Sequence, residues 1–84
     1  MFYVYVLRSK KDHLLYVGST KDLKKRFQQH NLGQVFSTKS RLPFELLYYE
    51  AYKSEGDARH RESNLKLRSR ALAQLKKRLV YTLK

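Results

Sequence analysis

The chain has 84 residues and no cysteine, which leaves room for one small domain and excludes a disulfide framework or a thiolate zinc site. Nineteen Lys and Arg residues against seven Asp and Glu residues give a net charge of +12, which favours polyanionic partners, nucleic acids above all. The apolar start, Met1–Leu7, is too short for a membrane span and lacks the features of a secretory signal. We therefore expect a single cytoplasmic domain over residues 1–84.

Two runs of alternating residues predict an antiparallel hairpin at the start of the chain. The runs are Phe2–Leu7 and Leu14–Val17, and a polar stretch lies between them. With the turn centred on Lys10–Lys11, Tyr5 and Tyr16 would lie directly opposite each other on one sheet face. The two tyrosines are then either packing residues, because Tyr is favoured in strands, or part of a phosphate-handling site.

A helix is predicted to follow the hairpin. The hydroxyl residues Ser19–Thr20, with Asp22 behind them, indicate a capped helix start with a carboxylate in the first turn. The helical pattern runs to about Asn31, and Gly33 suits the left-handed residue that ends many helices. Residues 34–43 predict a polar loop that ends in a proline.

The second half of the chain predicts one strand and two helices. Phe44–Tyr52 is apolar at nearly every position, which predicts a central strand covered on both faces. Ser54 and Asp57 resemble a capping box for a helix that runs to about Arg68, and Ser69 predicts the cap of a third helix. The order β-β-α-β-α-α predicts an α/β fold with a three-stranded antiparallel sheet flanked by helices.

On the first helix, two basic side chains are predicted to point towards the sheet. Arg26 and His30 fall on the same stripe as Leu23 and Phe27 at 3.6 residues per turn. Arg26 would either extend its charged end into water from that stripe or face a bound anion. His30, one turn further on, would lie close to Arg26 or to a substrate beside it.

On the second helix, one acidic side chain is predicted to point inward. Glu62 lies between Ala58 and Leu65 on the apolar face, where an unpaired carboxylate is unfavourable. Two interpretations follow, an ion pair with Arg26 or an oxygen ligand for Mg²⁺ or Mn²⁺. The basic residues around it are Arg59, Arg61, Lys66, Arg68 and Arg70.

The ordered set of these residues resembles the GIY-YIG nuclease family. Tyr3-Val4-Tyr5 matches the first signature phrase except at its first position, and Tyr16-Val17-Gly18 matches the second, with Gly18 as its structural glycine. The resemblance covers almost the whole chain and continues through Arg26, His30, Thr38, Pro43, Glu62 and Leu65-Lys66. Gln74 falls roughly where some members place an Asn, although the residue type differs.

The resemblance implies a role for each matched residue. Tyr5 would help to activate the attacking water with support from His30, and Tyr16 would position the water or the scissile phosphate. Arg26 would neutralise phosphoryl oxygens, and Glu62 would hold one Mg²⁺ or Mn²⁺ ion. The resemblance also implies products with a 5′-phosphate and a 3′-hydroxyl.

We therefore expect a metal-dependent DNA endonuclease that selects DNA structure rather than sequence. We expect a monomer without a small-molecule cofactor, with RNA as a further possible substrate. The alternative is a basic module that binds DNA or RNA with weak or no catalysis. Both interpretations use phosphate contacts from Lys24, Lys25, Arg59, Arg61, Lys66, Arg68 and Arg70. A membrane-surface role is disfavoured, because the leucine face of the third helix carries no aromatic residue.

Overall fold

The computed structural model describes residues 1–84 and contains three strands and three helices. In chain order these are β1 (Phe2–Ser9), β2 (Leu15–Thr20), α1 (Leu23–Asn31), β3 (Phe44–Tyr52), α2 (Glu55–Leu67) and α3 (Ser69–Arg78). Both neighbouring strand pairs are antiparallel. The predicted α/β architecture and element order are confirmed. None of the helices is both long enough and apolar enough to cross a membrane.

The central strand of the sheet is β1, and the strand order is β2-β1-β3. The prediction that β3 is central was therefore wrong. Four consecutive β1 residues, Val4 to Leu7, are almost fully buried, as expected of a strand covered on both faces. By contrast, β3 is an edge strand on which Tyr49 is 52% exposed.

The hairpin register differs from the predicted one by a two-residue shift. Tyr5 pairs with Gly18, and Leu7 pairs with Tyr16, so the two tyrosines are diagonal neighbours rather than directly opposite. They still share a sheet face, because a shift of two residues preserves the alternation. The turn is later than predicted because Ser9 Oγ accepts hydrogen bonds from the backbone N–H groups of the second and third residues after it, both at 3.1 Å.

The helices pack on the two faces of the sheet and create two separate apolar clusters. On one face the side chains of α1 cover the smaller cluster, which contains Tyr5, Leu7, Phe44, Leu23 and Phe27. On the other face α2 and α3 cover the larger cluster, which contains Val4, Val6, Val17, Ala58, Leu65, Leu75 and Leu79. The face under α1 also carries the tyrosine pair.

The first helix begins differently from the prediction. The side chain of Asp22 caps it by accepting a hydrogen bond from Lys25 N at 3.1 Å. The hydroxyl residues Ser19–Thr20 do not cap the helix, because they still belong to β2. At the other end Gly33 has φ +73°, the left-handed conformation that was predicted there.

The starts of the other two helices also correct the prediction. Ser54 is the N-terminal residue flanking α2, but its side chain makes no capping hydrogen bond, so the capping box with Asp57 does not form. Arg68, rather than Ser69, flanks the start of α3. Only one residue separates the two helices, and Arg68 closes α2 and opens α3 in an extended conformation.

A partly buried polar cluster connects β3 to α2. Both carboxylate oxygens of Glu50 accept hydrogen bonds from Arg61, at 3.0 and 3.1 Å. The hydroxyls of Tyr48 and Tyr52 also donate to Glu50. These donors hold the pKa of Glu50 below its ordinary value, although burial acts in the opposite direction. Arg61, which is predicted among the basic residues that contact phosphates, has its guanidinium bound to Glu50 in this cluster.

Candidate active site

The phenol ring of Tyr5 lies across the backbone of Gly18. Both residues are buried and are paired across β1 and β2. A Cβ atom added to Gly18 would come within 2.5 Å of Tyr5 Cζ, far inside van der Waals contact. Glycine is therefore required at this position to leave space for the ring, which explains the glycine of the second tyrosine phrase.

A buried hydrogen-bonded chain begins at the Tyr5 hydroxyl. Tyr5 Oη is 2.8 Å from His30 Nε2, and His30 Nδ1 is 2.8 Å from Thr38 Oγ1. His30 and Thr38 have no exposed surface, and Tyr5 is 1% exposed. Three elements thus contribute one side chain each: β1, α1 and the loop that follows α1.

Both titrating groups of this chain are uncharged at neutral pH. Burial raises the pKa of the Tyr5 phenol to about 12, with Tyr16 acting in the same direction and Arg26 opposing it. Burial also lowers the pKa of His30 to about 4, and the positive charge of Arg26 adds to this effect. Arg26 acts to lower the pKa of Tyr5, but the opposing effect of burial is larger.

Arg26 is partly exposed and connects the buried chain to a polar cleft. Its guanidinium donates a hydrogen bond to Gln29 Oε1 at 3.2 Å, and its nearness to the Tyr5 phenol is what opposes the rise in the pKa of Tyr5. The cleft has a volume of about 380 Å³ and is lined only by polar residues, Lys25 among them. A donor-only group at the wall of a cationic cleft is suited to a phosphate oxygen.

Tyr16 closes the site on the β2 side. Its ring centroid is 6.4 Å from that of Tyr5 and 5.2 Å from that of His30. The ammonium group of Lys66 lies 5.6 Å from the centre of the same ring, within the range of a cation–π contact. Tyr16 is half-buried, so its hydroxyl is more accessible than that of Tyr5.

Glu62 approaches the site from α2, at the outer edge of β2. Its carboxylate accepts a hydrogen bond from Ser19 Oγ at 2.7 Å and lies 2.9 Å from Lys66 Nζ. The interpretation that Glu62 forms an ion pair with Arg26 was wrong. The helical spacing of four residues brings Lys66 to Glu62, whereas the guanidinium of Arg26, on α1, is hydrogen-bonded to Gln29.

The donor set at Glu62 matches a site for Mg²⁺ or Mn²⁺ that the substrate completes. The chain supplies one partly exposed carboxylate with a hydroxyl beside it, and no group of three potential ligands occurs together. Mg²⁺ is commonly held by one or two carboxylates, with water and substrate phosphate completing its shell. The residues present therefore fit such an ion only together with a bound phosphate.

The structure brings Tyr5, Tyr16, Arg26 and His30 together around one point and places Glu62 nearby, at the β2 edge. Three further contacts were not predicted. They are the hydrogen bond from Ser19 to Glu62, the hydrogen bond between His30 and Thr38, and the ion pair of Lys66 with Glu62. The signal for Lys66 was its spacing from Glu62, since i and i+4 residues share a helix face. Thr38 lies in an irregular loop, where no periodic pattern predicts a partner.

Most of the predicted nucleic-acid-binding residues have exposed side chains. They are Lys24, Lys25, Arg59, Lys66, Arg68 and Arg70. Arg59 lies 3.5 Å from Glu55, a solvent-exposed pair of little energetic weight. Gln74 is exposed and lines a cavity at the junction of α2 and α3 together with Arg68 and Arg70, outside the tyrosine cluster.

Known proteins match this chain over most of its length. The family model of the GIY-YIG catalytic domain matches residues 1–78. A UPF0213 protein of Pediococcus pentosaceus is 42% identical over 71 residues, which cover 83% of this chain and 74% of that protein. A UPF0213 protein of Streptococcus pyogenes is 46% identical over 67 residues, which cover 79% of this chain and 72% of that protein. The solution NMR structure of a UPF0213 protein from Bacillus halodurans has a TM-score of 0.58 and 35% identity, covering 92% of this chain and 84% of that one.

Proposed function

Since the chain belongs to the GIY-YIG family, we propose that it is a metal-dependent endonuclease that hydrolyses phosphodiester bonds in DNA. The observation that carries the proposal is the buried chain from Tyr5 through His30 to Thr38. Its Tyr5 end lies beside Arg26, whose side chain lines a cationic cleft. A tyrosine that serves only for packing does not need a hydrogen bond from its hydroxyl to a fully buried histidine. A buried pair of hydrogen-bonded titratable groups is typical of proton transfer.

Arg26 lines the cleft and is partly exposed, so a phosphate bound there would contact its guanidinium first. Tyr16, beside Tyr5, is also partly exposed. The guanidinium of Arg26 would donate to the non-bridging oxygens and stabilise the charge that grows on them in the transition state. The hydroxyl of Tyr16 would donate to the same phosphate or orient the attacking water. Glu62 would hold the divalent ion, which when bound neutralises phosphate charge and makes water more acidic.

Because Tyr5 is protonated in the resting site, we propose that it acts as a relay rather than as a preformed base. A proton leaves the attacking water for Tyr5 Oη as the phenolic proton moves to His30 Nε2. His30 then carries the positive charge, with its Nδ1–H donated to Thr38 Oγ1. The water oxygen bonds to phosphorus and the bond to the 3′ oxygen breaks. That oxygen takes a proton from solvent, which gives a 5′-phosphate and a 3′-hydroxyl. The proton on His30 then returns through Tyr5 Oη to solvent, and both groups are neutral again.

One experiment tests the proposed activity directly. The purified protein is incubated with linear, nicked, flapped and branched DNAs of identical sequence, with Mg²⁺, Mn²⁺ or EDTA. We expect cleavage with a divalent ion, none with EDTA, and products that T4 ligase can rejoin because their ends are a 5′-phosphate and a 3′-hydroxyl. Cleavage that persists in EDTA would refute the metal dependence.

The second candidate function is binding of DNA or RNA without catalysis. It is favoured by two observations, the raised pKa of Tyr5 and the occupation of both oxygens of Glu62 by Ser19 and Lys66. The same panel separates the two functions. A protein that binds these substrates tightly and cuts none of them, with either metal, would establish the binding module and overturn the nuclease.

A further inference from the structure

A second groove lies beside α1, at the edge of the sheet formed by β3. It has a volume of about 680 Å³ and is lined largely by apolar and aromatic side chains. Tyr3, Tyr49 and Phe27 form its aromatic walls, and the lysines Lys21 and Lys24 lie at its margin. No residue of the proposed catalytic set lines this groove.

Tyr49 makes the groove unusual for a protein surface. The residue is 52% exposed, although it lies within β3 and pairs with Tyr5 of the central strand. Its ring is held edge-to-face against Tyr3, with centroids 5.9 Å apart and an interplanar angle of 68°. Such an arrangement fixes the orientation of the Tyr49 ring and leaves the residue half open to solvent.

The groove adjoins the cleft that contains Arg26. Lys21 and Asp22 line both cavities, so the turn between β2 and α1 is their shared wall. The carboxylate of Asp22 is occupied as the cap of α1 and contacts Lys25 N. The exposed lysine on this wall is therefore available to a phosphate that bridges the two cavities.

We propose that this groove binds one unpaired nucleobase of the nucleic acid whose backbone occupies the Arg26 cleft, a proposal that rests on the proposed function. The base stacks on Tyr49, as bases do on aromatic side chains of single-strand binding proteins. Lys21 and Lys24 contact the flanking phosphates, consistent with the net charge of +12. A paired base cannot enter, because both of its faces are covered in the duplex.

The consequence is a substrate preference at the same active site. DNA that presents an unpaired nucleotide close to the cut, as in a single strand, flap or fork, fills the groove and gains the stacking contact. A continuous duplex of the same sequence occupies the Arg26 cleft alone. The gain in binding comes from Tyr49, a side chain that takes no part in the proposed hydrolysis.

The test measures binding in EDTA, so it does not depend on cleavage. Fluorescence anisotropy compares a labelled single strand with the matching duplex for the parent protein, Tyr49→Ala and Tyr49→Phe. We expect Tyr49→Ala to weaken single-strand binding about 5- to 100-fold, the effect of one stacked base, while duplex binding changes less than about twofold. Tyr49→Phe keeps the ring and should bind like the parent. Tyr81→Ala, which removes an 82% exposed tyrosine outside the groove, is the matched control and should have no effect.

A single abasic nucleotide, placed in turn at each position of the strand, identifies the base. At one position it should reproduce the loss caused by Tyr49→Ala, and it should have no further effect on that variant. The proposal is overturned if Tyr49→Ala binds single strands like the parent, or if it loses single-strand and duplex affinity equally. A protein that shows the stacking effect but cuts nothing would refute the nuclease while leaving the groove assignment intact.

Discussion

The ammonium group of Lys66 lies 2.9 Å from the carboxylate of Glu62, one helical turn away on α2. The second oxygen of the carboxylate accepts a hydrogen bond from Ser19. The side chain proposed to hold a divalent ion is therefore already bound to a cation of the chain itself. Since a bound metal and the ammonium group would both occupy the same oxygen, they compete, and removal of the lysine should favour the metal.

Lys66→Met should raise the affinity for Mn²⁺ in the absence of DNA. The side chains of Lys66 and Glu62 are 43% and 22% exposed, so solvent screens the pair and the gain should be modest, about 3- to 10-fold. Titration followed by the electron paramagnetic resonance of free Mn²⁺ measures it. Arg59→Met removes a charge from the same helix without touching Glu62 and is the control. Equal Mn²⁺ affinities of all three proteins would contradict the competition.

Glu62→Gln should separate binding from cleavage. The amide keeps the shape and the hydrogen bond from Ser19 but removes the charged ligand, so cleavage with Mg²⁺ should fall by at least about 100-fold. DNA affinity should hold or rise slightly, because one negative charge leaves a basic surface. Thermal unfolding should change little, since the lost pair with Lys66 is partly exposed. A variant that cuts as fast as the parent would show that Glu62 holds no essential ion.

Arg26→Ala should reduce the cleavage rate far more than Lys24→Ala, although both changes remove one positive charge from α1. Arg26 is positioned beside the Tyr5 phenol, whereas Lys24 is exposed and lines the groove of Tyr49. We expect a loss of about 100- to 1000-fold for Arg26→Ala, the range for one preorganised electrostatic partner. Lys25→Ala should have an intermediate effect, because Lys25 lines the same cleft. Single-turnover rates at saturating protein measure all three, and equal losses would make Arg26 an ordinary surface charge.

Tyr5→Phe and Tyr16→Phe should both cut poorly but should differ in stability. Each change keeps the ring and deletes one hydroxyl. The hydroxyl of Tyr5 is buried on His30 Nε2, so its loss leaves a buried ring nitrogen without a partner and should cost about 1 to 3 kcal/mol. Tyr16 is half-buried, and Tyr16→Phe should unfold at the same denaturant concentration as the parent. Full activity in both variants would return the tyrosine pair to a packing role.

How far the sequence predicts this site depends on which physical rule places each residue. Strand alternation and helical period determine which face a side chain occupies, so Tyr5, Tyr16 and His30 were predicted on one face and are found there. The pairing of Tyr5 with Gly18 depended on the turn, and the hydrogen bonds of Ser9 that set the turn leave no periodic signal.

The position of β3 at the sheet edge was missed for a related reason. Its apolar residues face the helices on one side and the aromatic groove on the other, which mimics the pattern of a central strand. Which strand pairs with which is decided by long-range packing, and a single strand's pattern does not contain that information. The contact between Thr38 and His30 could not be predicted for the same reason, because it depends on the conformation of the loop that carries Thr38.

His30 should also make the stability of the fold depend on pH in a defined window. Its pKa is lowered from an ordinary value near 6.5 to about 4, because it is fully buried against Tyr5, Tyr16 and Phe44 with Arg26 close by. The unfolded chain therefore takes up a proton at a higher pH than the folded chain does. The contribution to stability is complete above about pH 6.5 and is lost as the pH falls towards 4.

Between pH 7 and pH 5 the free energy of unfolding should fall by about 1 to 2 kcal/mol through this residue alone. Urea unfolding at the two pH values measures the difference. His30→Gln cannot take up the proton, so its stability should be lower than that of the parent at pH 7 but should fall much less by pH 5. The acidic groups with lowered pKa values, Asp12 and Glu50, lose their contributions at lower pH than this window and should behave alike in both proteins. An equal loss of stability in the parent and in His30→Gln would mean that His30 is protonated as easily in the folded state as in the unfolded chain. The fold would then not hold His30 neutral for the relay with Tyr5.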